Sequence, residues 1–420
     1  MKGPVDLSCL AKGRALWPGA ACKASQRTGE AGSAAAAWLR WFMRRGWRFG
    51  AMDNEFEQGT AMRAFQCLRT VLFGFFMLSA AVTQAATFVY VSNADSREIS
   101  VLQLDAAAGD LLLVQTVPVS GQVMPMAVSP DRKYLYASLR SQPYTVASFR
   151  IDPANGRLTP IGANPLPDSM AYIVTDRSGR YLFAASYGGH KMSVSPIAAD
   201  GVVQAATQVL PTGQNAHAVL VDASNRNLFV SNLGSDAVMQ MRFDPSAGQV
   251  SPNTPPNYSG RPKAGPRHLV FHPNGRIVYL LNELDANVDV LAFDAARGTL
   301  SPLQTLSSLP AGFTGKPWAA DLHVTPDGRF LYTSERTTST LATFAIDPAS
   351  SQLKWVAHTP TEKQPRGFNI DPSGRFLVAV GQESHAVTLY AIDPSSGALK
   401  PLRNYSLGKN PNWVEIVALP

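Results

Sequence analysis

IDPSSGAL, residues 392–399, is the phrase that decides the fold, because the chain writes it seven times. Close copies are LDAAAGDL (104–111), IDPANGRL (151–158), FDPSAGQV (243–250) and FDAARGTL (293–300), and looser ones are IAADGVV (197–203) and IDPASSQL (346–353). Their acidic residues, Asp105, Asp152, Asp200, Asp244, Asp294, Asp347 and Asp393, lie 44 to 53 residues apart. A period of that size marks one supersecondary unit repeated along the chain.

A second repeat fills the space between these phrases. MAVSPDRKYLYAS (126–138), IVTDRSGRYLFAAS (173–186), AVLVDASNRNLFVS (218–231), LVFHPNGRIVYLLN (269–282), LHVTPDGRFLYTS (322–334) and FNIDPSGRFLVAV (368–380) each read as strand, tight turn, strand. Alternating β-branched and aromatic residues around a turn rich in Pro, Asp, Asn and Gly are the mark of a β-hairpin. The D-x-x-x-G phrase then turns the chain between two outer strands, so each unit holds four antiparallel strands. Two strands are left over, TFVYVSN (87–93) and NWVEIVAL (412–419), and together they complete a seventh unit. The expected fold is all-β: a seven-bladed β-propeller over residues 86–420, of four-stranded antiparallel blades, its ring closed by the N- and C-terminal strands. Closure removes the sheet edges that invite aggregation.

The ends of the chain differ from the repeat. Residues 62–85 combine Arg63 and Arg69, an apolar run from Val71 to Val82 and small residues near Ala85, the layout of a cleavable signal peptide. Residues 1–61 hold Trp17, Trp38, Trp41 and Trp47 without a helix or strand period, and translation from Met62 is expected. All three cysteines (Cys9, Cys22, Cys67) precede the cleavage point, leaving a domain with no thiol for a disulfide, metal or nucleophile. Residues 1–85 carry 11 basic and 5 acidic residues, and the remainder 26 and 25. The near-neutral domain therefore gives no footing for nucleic acid. A periplasmic protein is expected, free of the membrane after cleavage, as a monomer or dimer.

A repeat supplies its own internal control. With the hairpins registered on their turns, the position before each inner strand reads Met124, Ala171, His217, Arg267, Ala320, Arg366 and Asn412. The next reads Pro125, Tyr172, Ala218, His268, Asp321, Gly367 and Trp413, and the end of the second strand reads Arg140, Tyr187, Leu233, Glu283, Arg336 and Gln382. The first strand of a hairpin begins where the second ends, so these columns face one mouth of the central channel. Structure alone would fill such positions with similar residues. Ionisable groups are costly to bury, so their concentration here points to solvation, to pairing or to a ligand. Arg267 with Glu283 also fits a purely structural ion pair, Asp321 also fits a cap on a neighbouring strand's amides, and His272 and His323, in other registers, read as turn or core histidines. No H-E-x-x-H, C-x-x-C pair, P-loop or G-x-S-x-G motif is present.

The segments AGPRHLVFHPNGRIVYLLNELDANVDV (264–290), KPWAADLHVTPDGRFLYTSERT (316–337) and KQPRGFNIDPSGRFLVAVGQESHAV (363–387) resemble the propeller-type lactonases, a family that includes bacterial 6-phosphogluconolactonase and the fungal carboxy-cis,cis-muconate cyclase. The likeness runs from about residue 87 to 418 and leaves out 1–61. It implies a catalytic set of His217 (in NAHAV), Arg267 (in GPRHLVFHP), Glu283 (in LNEL) and Arg366 (in QPRGFN), which the repeat columns reach independently. His268, Asp321, Arg336, Tyr172, Tyr187 and Gln382 complete the expected substrate-binding wall. The sequence departs from the family at Tyr172, where a histidine is expected, at Met124, where a glutamine is expected, and in its export signal. The implied activity is hydrolysis of a sugar-type lactone, with an unphosphorylated aldonolactone the substrate an exported enzyme would meet. His217 or Glu283 would take the water proton and the arginines would hold developing negative charge. No metal or cofactor is expected. A muconate-type cyclase using the same residues, and a periplasmic scaffold without chemistry, are the alternative readings.

Overall fold

The computed structural model describes residues 85–420, so the expected extension 1–61 and all but the last residue of the signal peptide 62–85 lie outside the described residues. Twenty-eight strands assemble into seven four-stranded sheets, one per expected blade. Blade 1 joins Pro411–Leu419 to Ala86–Asn93, Glu98–Asp105 and Asp110–Pro118, so the two ends of the domain close the ring. Closure is a full antiparallel ladder, running from Ala86 opposite Leu419 to Ser92 opposite Trp413. Blades 2 to 7 each use four consecutive strands and begin with the inner strands Val123–Val128, Tyr172–Thr175, Ala216–Val221, Pro266–Phe271, Ala319–Val324 and Pro365–Ile370.

The repeated phrase has a physical explanation at each residue. Its aspartate caps the turn: Asp105 Oδ1 accepts the amides of Ala107 and Ala108, and Asp393 Oδ1 those of Ser395 and Ser396. Its glycine takes a left-handed conformation, φ +72° at Gly397, and a Cβ there would lie 2.4 Å from Phe330. The phrase also serves the neighbouring blade. Tyr90, Tyr279 and Tyr332 are buried on second strands, and their hydroxyls donate to the carbonyls of Gly156, Ser351 and Gly397 in the next blade's phrase, at 2.9, 2.8 and 2.7 Å. Hydrophobic clusters such as Tyr279, Val288, Leu331 and Phe344 fill the space between adjacent blades.

One irregularity repeats as faithfully as the phrase. In six blades the ladder between first and second strand slips by one residue near its start, a β-bulge. The residues left without a ladder partner are Met124 with Pro125, His217, Arg267, Ala320 with Asp321, Arg366 and Asn412. They include six of the seven residues of the exceptional column, all but Ala171.

Candidate active site

A bulge breaks the alternation of the strand and re-aims the extra residue's side chain. Its unpaired backbone groups are closed by side chains. Ser231 Oγ accepts the Ala218 amide at 3.0 Å and donates to the Arg267 carbonyl of the next blade at 2.6 Å, and Ser92 Oγ reaches the Met124 carbonyl at 2.9 Å. The Arg267 guanidinium continues the pattern by donating to the bulge carbonyl of Ala320. The bulges are therefore held as fixed mounts for the side chains they project.

Three arginines, Arg267, Arg336 and Arg366, meet at this mouth around one carboxylate, and a fourth, Arg140, stands next to Arg366. Glu283 Oε2 accepts Arg267 Nε at 2.7 Å and pairs with Arg336 at 2.9 Å. Arg336 is held further by the carbonyls of Trp318 and Ala319, both at 3.0 Å, and its guanidinium lies 4.0 Å from the centre of the Trp318 ring. Arg267 is 1% exposed. Arg140 binds Ser169 Oγ at 2.8 Å and has no carboxylate partner, while half-buried Arg366 has no hydrogen bond or ion pair among the described residues. One terminal nitrogen of Arg267 and one of Arg336 likewise have no acceptor among the described residues. The mouth thus presents fixed N–H donors and more positive than negative charge.

The charges reset one another. Burial raises the Glu283 carboxyl, but Arg267, Arg336 and Arg366 reverse this and hold it below the usual carboxylate range. Burial and Arg267 lower Arg336 to about 9 against the pull of Glu283, and Arg366 falls well below its ordinary value from burial and the facing Arg267 and Arg336. His217, 4% exposed, is pushed well below 6.5 by burial and then by Arg267, so it is a neutral imidazole at pH 7. Its Nδ1 has no partner among the described residues.

Behind the arginines a layer of rings crosses the channel. His268 lies 5.1 Å from His217, 5.3 Å from Tyr172 and 5.8 Å from Trp413, centre to centre, and Tyr187 flanks His217 at 6.0 Å. His268 Nδ1 is 2.8 Å from Asp321 Oδ1, and the other Asp321 oxygen is 3.3 Å from His323 Nε2. Asp321 also accepts the amides of Leu322 at 3.0 Å and, on the neighbouring strand, Phe368 at 3.4 Å. It is both the cap and the side-chain partner that the sequence left open. Beyond the rings the channel is a cavity of about 370 Å³ lined by Tyr172, His268, Asp321, His323, Trp413 and Glu415.

The structure brings together nine of the ten expected site residues: His217, Arg267, Glu283, Arg366 and Arg336 at the mouth, with Tyr187, Tyr172, His268 and Asp321 beside or behind them. Gln382 stands apart. Its amide donates to Asn410 at 2.7 Å and lines a groove with Asp95, Lys363, Glu383 and His385. A strand-end position fixes where a side chain starts but not which way it turns. His272 is satisfied by the Gly328 carbonyl at 3.0 Å, as a turn histidine should be. His323 is not a bland core residue, since it faces the channel and binds Asp321. His323 and Glu415 escaped the column comparison because they lie two residues further along their strands, on the same face as Asp321 and Trp413.

Residues 82–416 match the family model described as lactonase, 7-bladed beta-propeller. The chain is 45% identical over 331 residues to a 6-phosphogluconolactonase of Pectobacterium carotovorum, covering 79% of this chain and 98% of that one. It is 46% identical over 330 residues to the 6-phosphogluconolactonase of Serratia proteamaculans, covering 79% and 98%. Among solved structures, the periplasmic gluconolactonase of Pseudomonas aeruginosa superposes with a TM-score of 0.75 at 32% identity, over 80% of this chain and all of that one. The chain belongs to the seven-bladed β-propeller lactonase family.

Proposed function

We propose that this site hydrolyses a sugar-type lactone, in the periplasm, after export directed by residues 62–85. The reading is carried by one observation: rigidly mounted guanidinium groups with unused donors stand beside a neutral, buried imidazole. Arginine N–H groups suit the negative charge that gathers on a lactone carbonyl oxygen when water attacks. Glu283 accepts from two of those arginines and is held ionised by them, so its part is to clamp the cations. That leaves His217 as the acceptor for the water proton and, on collapse, its donor to the departing ring oxygen. Arg366 and Arg140, without carboxylate partners among the described residues, would hold a charged or strongly polar substituent of the substrate. The relatives named as 6-phosphogluconolactonases and as a periplasmic gluconolactonase support the substrate class and, for the latter, the compartment.

The test is a substrate panel of gluconolactone, 6-phosphogluconolactone and muconolactones with purified residues 86–420. His217→Ala and Arg267→Ala are expected to lower turnover on the preferred lactone by about 100-fold or more, the loss typical of one oxyanion donor or one acid–base group, with the far-ultraviolet β signal kept. Wild-type rates in either variant remove that residue from the mechanism, and turnover of none of the panel removes the lactonase reading. N-terminal sequencing of the native protein checks export, since a mature N-terminus before residue 62 would rule out the assigned signal.

A further inference from the structure

Of the two histidines at the boundary between mouth and channel, His268 has one ring nitrogen satisfied and His217 has neither among the described residues. His217 Nδ1 and His268 Nε2 are both buried nitrogens without a hydrogen-bond partner among the described residues, and they belong to adjacent rings 5.1 Å apart. A buried polar nitrogen left unpaired is costly, and although the two are not bonded to each other as the rings stand, one proton shared between these adjacent rings would satisfy both. The other side of His268 is fully committed. Its Nδ1 faces Asp321 Oδ1 at 2.8 Å, and Asp321 is anchored by the Leu322 amide and by His323. A carboxylate accepts only, so His268 must carry its proton on Nδ1 and keep a lone pair on Nε2.

We propose that Asp321 and His268 are positioning residues that act through His217: Asp321 sets the tautomer of His268, whose Nε2 lone pair accepts Nδ1–H of His217 and leaves Nε2 of His217 bare to take the water proton. The inference rests on His217 as the proton acceptor. In the reaction the water oxygen bonds to the lactone carbonyl carbon, the carbonyl electron pair moves to its oxygen against the arginines, and the water proton passes to His217 Nε2. The imidazolium so formed is stabilised through Nδ1–H···Nε2 of His268, with the Asp321 charge behind it. When the carbon–ring oxygen bond breaks, that oxygen takes the proton back from His217 Nε2. Water and lactone become a hydroxy acid, and His268 and Asp321 end unchanged. The arrangement follows the logic by which a buried aspartate fixes a catalytic histidine, extended by one ring.

Two conditions favour it. Burial and Arg267 push His268 down to about 4 despite Asp321, so it stays neutral and keeps its lone pair at working pH. Asp321 stays ionised, because His323 and His268 outweigh the burial that would raise it.

The experiment has two independent arms. Nitrogen-15 imidazole shifts of the wild-type protein at pH 7 report the tautomers directly. His268 is expected as Nδ1–H with a bare Nε2, and His217 as Nδ1–H; finding His268 as Nε2–H overturns the proposal, whether or not any lactone is hydrolysed. Kinetics form the second arm. Glutamine places an acceptor oxygen where His268 Nε2 lies and leucine places none, so His268→Leu should lose about 100-fold in kcat and His268→Gln no more than about tenfold, with KM within about twofold in both. Equal losses in the two variants would mean that His268 only fills space. Asp321→Asn, which favours the Nε2–H tautomer, should lower kcat at least as far as His268→Leu. If His217→Ala leaves the rate unchanged while the tautomers are as expected, the assignment of the base fails and the hydrogen-bonded file stands.

Discussion

Replacing Glu283 by glutamine separates a clamp from a catalyst. The carboxylate is 13% exposed and pairs with Arg267, itself 1% exposed, and with Arg336. Glutamine keeps an acceptor oxygen but removes the negative charge that faces Arg267, Arg336 and Arg366. Breaking a buried pair by removing one partner costs about 3–5 kcal/mol, because the remaining charge is left uncompensated. The described domain has about 335 residues, and unfolding entropy near 2.1 cal/mol/K per residue gives roughly 0.7 kcal/mol per degree, so Tm should fall by about 4–7 °C. An anion that occupies the released arginines should return part of this: at ten times its Kd it contributes about 1.4 kcal/mol, or about 2 °C. The assay is thermal unfolding of wild type and Glu283→Gln, each with and without phosphate, alongside turnover. A variant with the wild-type Tm and no turnover would refute the clamp, since Glu283 would then act on the substrate and not on the arginines.

Other perturbations probe the mouth, the channel and the ring separately. Arg366→Ala removes a guanidinium with no partner among the described residues, so it should leave Tm within about 1 °C while raising KM or lowering kcat by about 100-fold, read by steady-state kinetics. Glu415 lies in the channel with its carboxyl raised by burial to about 7, against the pull of the Trp413 N–H bond. A raised acid favours folding while protonated and loses that support as pH rises through about 7, so Glu415→Gln should stabilise the protein at pH 8 by up to about 3 kcal/mol and change little at pH 4. Denaturant titrations at both pH values check this, and equal stability of variant and wild type at pH 8 would contradict it. Tyr332→Phe leaves the Gly397 carbonyl without its donor and should cost about 1–3 kcal/mol with kcat unchanged, measured by urea unfolding and turnover.

The blade count, the ring closure and most of the mouth were legible because a repeat exposes its own exceptions. His217, Arg267 and Arg366 stand out only against Met124, Ala171, Ala320 and Asn412 at the same position. What stayed hidden needs three dimensions or a longer reading of the strand. Arg336 and Glu283 share a register column, yet only the fold shows that one carboxylate oxygen serves both Arg336 and Arg267. Gln382 shares the column as well, and its amide is spent on Asn410. The tyrosine latches were within reach, since Tyr90, Tyr279 and Tyr332 occupy one register, but their acceptors lie in the following blade. His323 and Glu415 would have emerged by stepping two residues along the inner strands from Asp321 and Trp413.

The bulge explains why this one column is free to vary. At an ordinary strand position a change of residue type disturbs cross-strand packing, and a slip in register would turn a whole face of the blade inside out. The bulged residue already stands outside the ladder, and several bulge backbone groups are closed by serines that are not on the column: Ser92 on Met124, and Ser231 on Ala218 and Arg267. Methionine, histidine, arginine, alanine and asparagine can therefore occupy equivalent bulges without cost to the sheet. The energetic consequence is a division of labour. Truncating His217 should change chemistry more than stability, whereas Ser231→Ala would leave the Ala218 amide and the Arg267 carbonyl unpaired in the core. Changing a side chain that never meets the substrate would then loosen two active-site mounts at once.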